Sequence, residues 1–330
     1  MYKKILSCLA ASVLLSKNAF SVNVVAWINF IKPEVILELE NECNTKVSVD
    51  GYYATDEFLK KMKQFKYDVG IFSSEIYDVI ENKIDASSDH FKILKQNYHP
   101  NINTLFKKQI FFNKTGLFSL TTTGFLYNPN VIQISENNSI SEIFAKAHGK
   151  EVSIIDEPIE SFKLISKGKR ATEANITSES VLQLQQLVAG TRPLITNDTK
   201  AIVKKENFAF SYTWSGVAFM RIRENPHLKF IHHPDLTYAS ADLIAPFSAD
   251  AKVLCVAKKL ASKRYIDKSM AYVHFFSPYE VPTNFVHREY QTVHRTFLDD
   301  YNSLKWLEDL NNNEYARLNK VWSQFKVAIR

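Results

Sequence analysis

The chain has 330 residues, is 45 % hydrophobic and 23 % charged, and carries a formal net charge of +6. Three of its lysines, Lys3, Lys4 and Lys17, lie in the first 21 residues, which hold no acid, so the remaining 309 carry only +3. That balance makes no case for a nucleic-acid or anionic-membrane partner, and the length is enough to bury a core without disulfides.

The first elements set the compartment. Lys3 and Lys4 precede an apolar run from Ile5 to Leu15, and Ala19-Phe20-Ser21 has the small-x-small pattern of a cleavage site. Residues 1–21 therefore read as a secretory signal peptide, too short for a membrane anchor. Cys8 fits a lipid anchor poorly, because only Ile5-Leu6 precede it as apolar stretch. The mature part keeps Cys43 and Cys255. They can pair in an oxidising compartment, but spacing alone does not decide it, and Cys255 in "VLCVAKKLA" also reads as core. His232-His233 is expected at the surface, and no spacing points to a metal or a cofactor.

In chain order, "VNVVAWI" predicts a strand and "KPEVILELENEC" a helix with Pro33 in its first turn. "KVSVDGYY" predicts a second strand. "ATDEFLKKMKQF" predicts a helix with Thr55 as N-cap, and "YDVGIFSS" a third strand followed by the helix "SEIYDVIENKI". This β-α-β-α-β-α order argues for a mostly parallel sheet covered by helices. "KKQIFFNKTGLFSLTTTGFLYNP" reads as strands and turns, with a hairpin tip at Asn113-Lys114-Thr115-Gly116. Alternation then resumes: helix "SISEIFAKAHG", strand "EVSIID", helix "EPIESFKLISKG", helix "SESVLQLQQLVAG", strand "FAFSYTW" and the segment "SGVAFMRIRE". "SADLIAPFSAD" and "KVLCVAKKLASKRY" follow, and the last 35 residues read as helical and charged.

Ligands of such sheets sit outside the carboxyl ends of the strands. Here those ends carry Trp27, Asn29 and Phe30, then Ser73, Ser74 and Glu75, then Asp156, Glu157 and Glu160, then Trp214, with no lysine or arginine among them. Each has an ordinary alternative: core tryptophans, helix-capping serines, first-turn acids complementing a helix dipole. Together they describe a site for an organic cation, because carboxylates take ammonium hydrogen bonds and aromatic faces attract the same charge.

The stretch "VVAWINFIKPEVILELENECNTKVSVDGYYATDEFLKKMK", then "YDVGIFSSEIYDVIENKI", "YTWSGVAFMRIRE" and "SPYEVPTN", resembles in order the periplasmic spermidine/putrescine-binding proteins of ABC transporters. The resemblance implies an α/β, type II two-lobed binding protein, each lobe a mostly parallel sheet flanked by helices, with the ligand cleft between them. Residues 22–123 plus 241–290 form lobe 1, and 124–240 plus 291–330 form lobe 2. It implies a periplasmic monomer that captures a polyamine and meets an inner-membrane ABC permease. Trp27 and Phe30 then pack on the ligand, Ser73 supplies a hydroxyl, Glu157 and Glu160 an acidic pair, Thr196 a position held by serine, Trp214 a wall and Tyr279 a contact to an amine. Trp306 corresponds to a C-terminal helix that touches the ligand. The chain departs from the pattern at Asn29, at Glu75, which stands where the family has a tyrosine, and at Asp242, one residue late for the central-amine aspartate. These departures keep a different cationic or polar solute open, as is a sensing role. A secreted enzyme finds no GxSxG, HExxH, SxxK or P-loop motif.

Overall fold

The computed structural model describes residues 21–166, 169, 176–280, 297, 299, 304–307 and 309–329. The expected signal peptide, save Ser21, and residues 281–284 of the expected turn lie outside them.

The apolar run of the first strand fits burial on both faces. In β1 (Ser21–Trp27), Val22, Val24, Val25 and Ala26 are wholly buried. The strand pairs in parallel with β2 (Lys46–Tyr52) and β3 (Val69–Ser73), so its backbone is satisfied on both sides. The connections α1 (Pro33–Cys43) and α2 (Thr55–Gln64) give the right spacing for parallel strands. Short helical turns α3 (Tyr77–Ile80), α4 (Lys92–Lys95) and α5 (Pro100–Phe106) precede β4.

β4 (Gly116–Tyr127) is buried along all twelve residues and joins two half-sheets. Through Thr122 it runs antiparallel to β9 (Tyr238–Pro246), which pairs in turn with β3. From Thr123 it runs antiparallel to β7 (Phe208–Trp214). Beyond β7 lie β5 (Glu151–Ile154) and β6 (Arg192–Ile195), both parallel, giving the order β2-β1-β3-β9-β4-β7-β5-β6. β8 (Lys229–Ile231) pairs with β4, and β10 (Lys305–Trp306) with β9. Where β4 passes between the halves, the buried Thr123 bonds the backbone on both sides of its hydroxyl. Thr123 Oγ1 donates to the Leu236 carbonyl at 2.6 Å and accepts from the Tyr238 amide at 3.0 Å.

Around the second half-sheet lie α6 (Ile140–Lys146), α7 (Pro158–Ser161), α8 (Lys163–Ser166), α9 (Ser178–Val188) and α10 (Ser215–Glu224). α11 (Ala251–Leu260) and α12 (Lys263–Val273) return to the first half. The last helix, α13 (Asn312–Ala328), packs on α9 and α7, while β10 before it belongs to the first half-sheet. None of the described helices is long and apolar enough to cross a membrane.

Four local expectations change. Asn113–Gly116 is not a hairpin tip: a 3-10 turn at Ile110–Asn113 feeds straight into β4. Gly116 serves close packing there, since a Cβ on it would stand 2.9 Å from the Phe91 ring. The helix expected over 157–168 is interrupted at Phe162, which separates Pro158–Ser161 from Lys163–Ser166. Of the two histidines, His232 is exposed as expected and His233 is not. His233 is buried with Nε2 2.8 Å from the Asn138 carbonyl, and His232 Nε2 lies 2.9 Å from Thr122 Oγ1. Cys43 and Cys255, left open above, form a disulfide that ties α1 to α11.

Candidate functional site

β1 ends at the mouth between the half-sheets. Asn29 takes a left-handed backbone (φ 60°), which asparagine tolerates better than most residues. The turn it makes, with the Phe30 amide bonded to the Trp27 carbonyl, directs Phe30 inward against Phe118 and Phe275. Trp27 packs on Tyr52 (4.4 Å between centroids) and meets Trp214, at the end of β7, edge-on at 5.9 Å. The two tryptophans come from opposite half-sheets.

Four buried carboxyls converge behind these rings. Asp242 lies on β9 opposite Ser73 of β3. It accepts from Trp27 Nε1 at 2.9 Å and from the Ser119 hydroxyl, and burial pushes it up to about 6. Glu75, just past β3, is 3 % exposed. Ser73 Oγ donates to its Oε2, while Oε1 has no partner among the described residues. Burial, then repulsion from Glu160, holds this carboxyl well above the usual range. Glu157 is the N-cap of α7, and its Oε1 accepts from the Thr55 amide at 2.8 Å. Thr55 is thus not the N-cap of α2, which is Ala54. Its orphan amide is satisfied from the other half-sheet instead. Burial and repulsion from Glu160 raise Glu157 too. Glu160 accepts from Trp214 Nε1 at 3.2 Å through Oε1, and its Oε2 is buried without a partner among the described residues. Burial lifts it to about 7 despite the pull of Lys163.

A third buried oxygen, the Tyr315 hydroxyl of α13, also lacks a partner among the described residues. All three line one cavity of about 390 Å³, within the roughly 300–1,000 Å³ of small-molecule sites. A primary ammonium offers three N–H donors. Apolar walls come from Trp27, Phe30, Trp214, Ile159 and Phe275. Two bonds cross the mouth beside it, Thr55 to Glu157 and Asn197 Nδ2 to the Tyr53 carbonyl at 2.8 Å.

Of the ten residues expected at the site, Trp27, Phe30, Ser73, Glu75, Glu157, Glu160, Trp214 and Asp242 line this cavity. Thr196 does not: its hydroxyl accepts from the Asp198 amide in an exposed turn, and its neighbours Asn197 and Asp198 face the cavity instead. Tyr279 lies in the core, donating to the Ala261 carbonyl at 2.7 Å and packing edge-on against Tyr98. Trp306 is on β10, against Phe106 and Phe297, and not on a helix. Asp156 turns away to accept from Trp322 Nε1 and Lys326 Nζ. Sequence reading also missed cations, since Lys200, Arg221 and Arg223 line the cavity. Arg221 was findable: Val217, Met220, Arg221 and Glu224 are spaced as one helix face. Tyr315 gave no signal, being brought in by the docking of α13.

No protein-family model matches the sequence, and no curated protein matches it as a relative. Solved structures do match in fold. A putative spermidine/putrescine ABC transporter protein from Listeria monocytogenes superposes with TM-score 0.78 at 15 % identity, over 93 % of this chain and 99 % of that one. The spermidine/putrescine substrate-binding protein PotD from Streptococcus pneumoniae gives 0.69 at 15 % identity, over 94 % and 99 %. A periplasmic thiamin binding protein gives 0.65 at 12 % identity, over 96 % and 98 %. The chain has the two-lobed α/β fold of periplasmic binding proteins, as expected from its sequence.

Proposed function

We propose that the chain is a non-enzymatic substrate-binding protein of the periplasm, exported by a cleaved leader (residues 1–21). It captures a polyamine, spermidine or putrescine, and delivers it as a monomer to an inner-membrane ABC permease. The observation that carries this reading is the trio of buried oxygens without a partner among the described residues, Glu75 Oε1, Glu160 Oε2 and Tyr315 Oη, on one tryptophan-walled cavity. Burying carboxylates without a counter-charge is costly, and an ammonium group removes that cost while satisfying all three acceptors. The indoles of Trp27 and Trp214 add cation–π attraction and cover methylenes. Their N–H groups hold Asp242 and Glu160 in place. The lobes would be residues 22–123 plus 241–290 and 124–240 plus 291–330. Closure would bring Trp27 against Trp214 and Glu157 against Thr55 by hinge motion.

A thermal-shift scan of the secreted form against spermidine, putrescine, spermine, cadaverine, thiamine, amino acids and sugars tests this. A ligand that binds only the folded state adds about 2.7 kcal/mol at a hundred times its dissociation constant. A shift with spermidine or putrescine supports the proposal. A shift with thiamine alone moves the ligand to another organic cation, and a shift only with sugars overturns the cation site.

A further inference from the structure

α10 starts beside Trp214, whose indole holds Glu160, and its face Val217, Met220, Arg221, Glu224 lines the cavity. The cavity therefore runs along the helix. From Trp214 to Arg221 the axis rises on the order of 10 Å. The carboxyls sit at the first end. At the other end stand two guanidinium groups and one carboxylate. Arg221 is 8 % exposed and gives Nη1 to Glu224 Oε2 at 2.8 Å, while its Nε–H is buried with no partner among the described residues. Arg223 Nη1 lies 3.4 Å from His274 Nε2. His274 Nδ1 lies 3.2 Å from the Tyr272 carbonyl, so the ring with its proton on Nδ1 donates there and accepts from Arg223. Glu224 offsets one positive charge and leaves the other.

The cavity is thus polarised along its length, with carboxyls and a tyrosine at one end and surplus guanidinium charge at the other. A second ammonium at the arginine end would meet like charge and leave the Arg221 Nε–H unsatisfied. A carboxylate there would accept that N–H and could engage the guanidinium edge in the two-point geometry arginine favours. We infer that the cavity selects an asymmetric ligand, an ω-amino acid with an ammonium group at the Glu75–Glu160–Tyr315 end and a carboxylate at Arg221. This inference rests on the proposed ammonium-binding role of the first end and departs from the polyamine reading at the other, where a carboxylate takes the place of the polyamine's second ammonium.

The test is titration calorimetry with matched pairs of diamine and ω-amino acid of four, five and six carbons. In the wild-type protein, at the chain length that fits, the amino acid binds about ten- to a hundredfold more tightly than its diamine, the worth of one charged hydrogen-bonded contact. Arg221→Gln erases that preference, and Arg221→Lys, which keeps the charge and loses the planar fork, retains only part of it. Circular dichroism and the thermal midpoint verify that the variants fold, and the wild-type comparison decides the matter without them. A diamine that binds as tightly as its matched amino acid at every length overturns the inference and leaves the organic-cation reading standing. Preference for the amino acid that survives in folded Arg221→Gln overturns the assignment to Arg221. No binding of either class overturns both readings.

Discussion

Glu160→Gln separates what the cavity does for binding from what it costs the fold. The substitution keeps the side chain's shape and an acceptor for Trp214 Nε1 while removing the charge. In the fold the carboxyl's pKa stands at about 7 against an ordinary 4.5, chiefly through burial. At about 1.36 kcal/mol per pH unit, that disfavours the ionised carboxyl by about 3 kcal/mol. The sign follows from proton binding. Below pH 4.5 both folded and unfolded chains hold the proton and there is no penalty. Between 4.5 and 7 only the unfolded chain ionises, so stability falls as pH rises, and above 7 the full penalty is present. Ligand-free Glu160→Gln is therefore more stable than wild type by about 2–3 kcal/mol at pH 8 and equal to it below pH 4.5. Its affinity for an ammonium ligand falls at least about tenfold with the lost charge-assisted bond. Urea unfolding at the two pH values and calorimetric titration measure these effects. A variant no more stable than wild type at pH 8, or one that binds as tightly, refutes the reasoning.

Trp214→Ala removes a cavity wall and the donor to Glu160 Oε1, so affinity falls at least about tenfold by titration calorimetry, from the loss of cation–π contact and of the hydrogen bond. Tyr279→Phe loses only the bond to the Ala261 carbonyl. It costs about 1 kcal/mol in urea unfolding and leaves affinity unchanged, whereas a ligand contact there would weaken binding. Reducing the Cys43–Cys255 disulfide, which closes a loop 212 residues apart in sequence, lowers stability by about 2–5 kcal/mol, read as a fall in the denaturation midpoint with dithiothreitol. Gly216→Ala puts a Cβ 2.2 Å from the Phe275 ring across the mouth of the cleft, so closure is hindered and ligand dissociation quickens in stopped-flow traces.

The strands and their ends were legible in the sequence because each is a local pattern. Val22 to Ala26 is a β-branched run that suits a strand buried on both faces, and Trp27, Ser73 and Trp214 fall where such strands stop. What was not legible depends on distant pieces of chain meeting. Glu157 looked like a first-turn acid, and its role in capping α2 from the other half-sheet exists only once Thr55 is brought beside it. Tyr315 arrives with α13, about 155 positions beyond Glu160, and no local signal links them. Tyr279 failed for the converse reason: an aromatic in a turn carries the same local signature whether it faces a ligand or, as here, Tyr98. The basic end of the cavity lies off the strand ends, with Arg221 about two turns into α10, and was legible only in the helix-face spacing of Val217, Met220, Arg221 and Glu224.

The central claim is that ammonium ions bind among carboxyls that the fold holds partly protonated. Calorimetric titration with putrescine at pH 6 and at pH 9, each in two buffers of different ionisation enthalpy, tests it most directly. The account predicts saturable binding of one ligand per chain with net proton release at pH 6, as the ammonium group drives Glu160 and Asp242 to ionise, and a smaller release at pH 9. Absence of saturable heat at either pH, or binding at pH 6 without proton release, would contradict it.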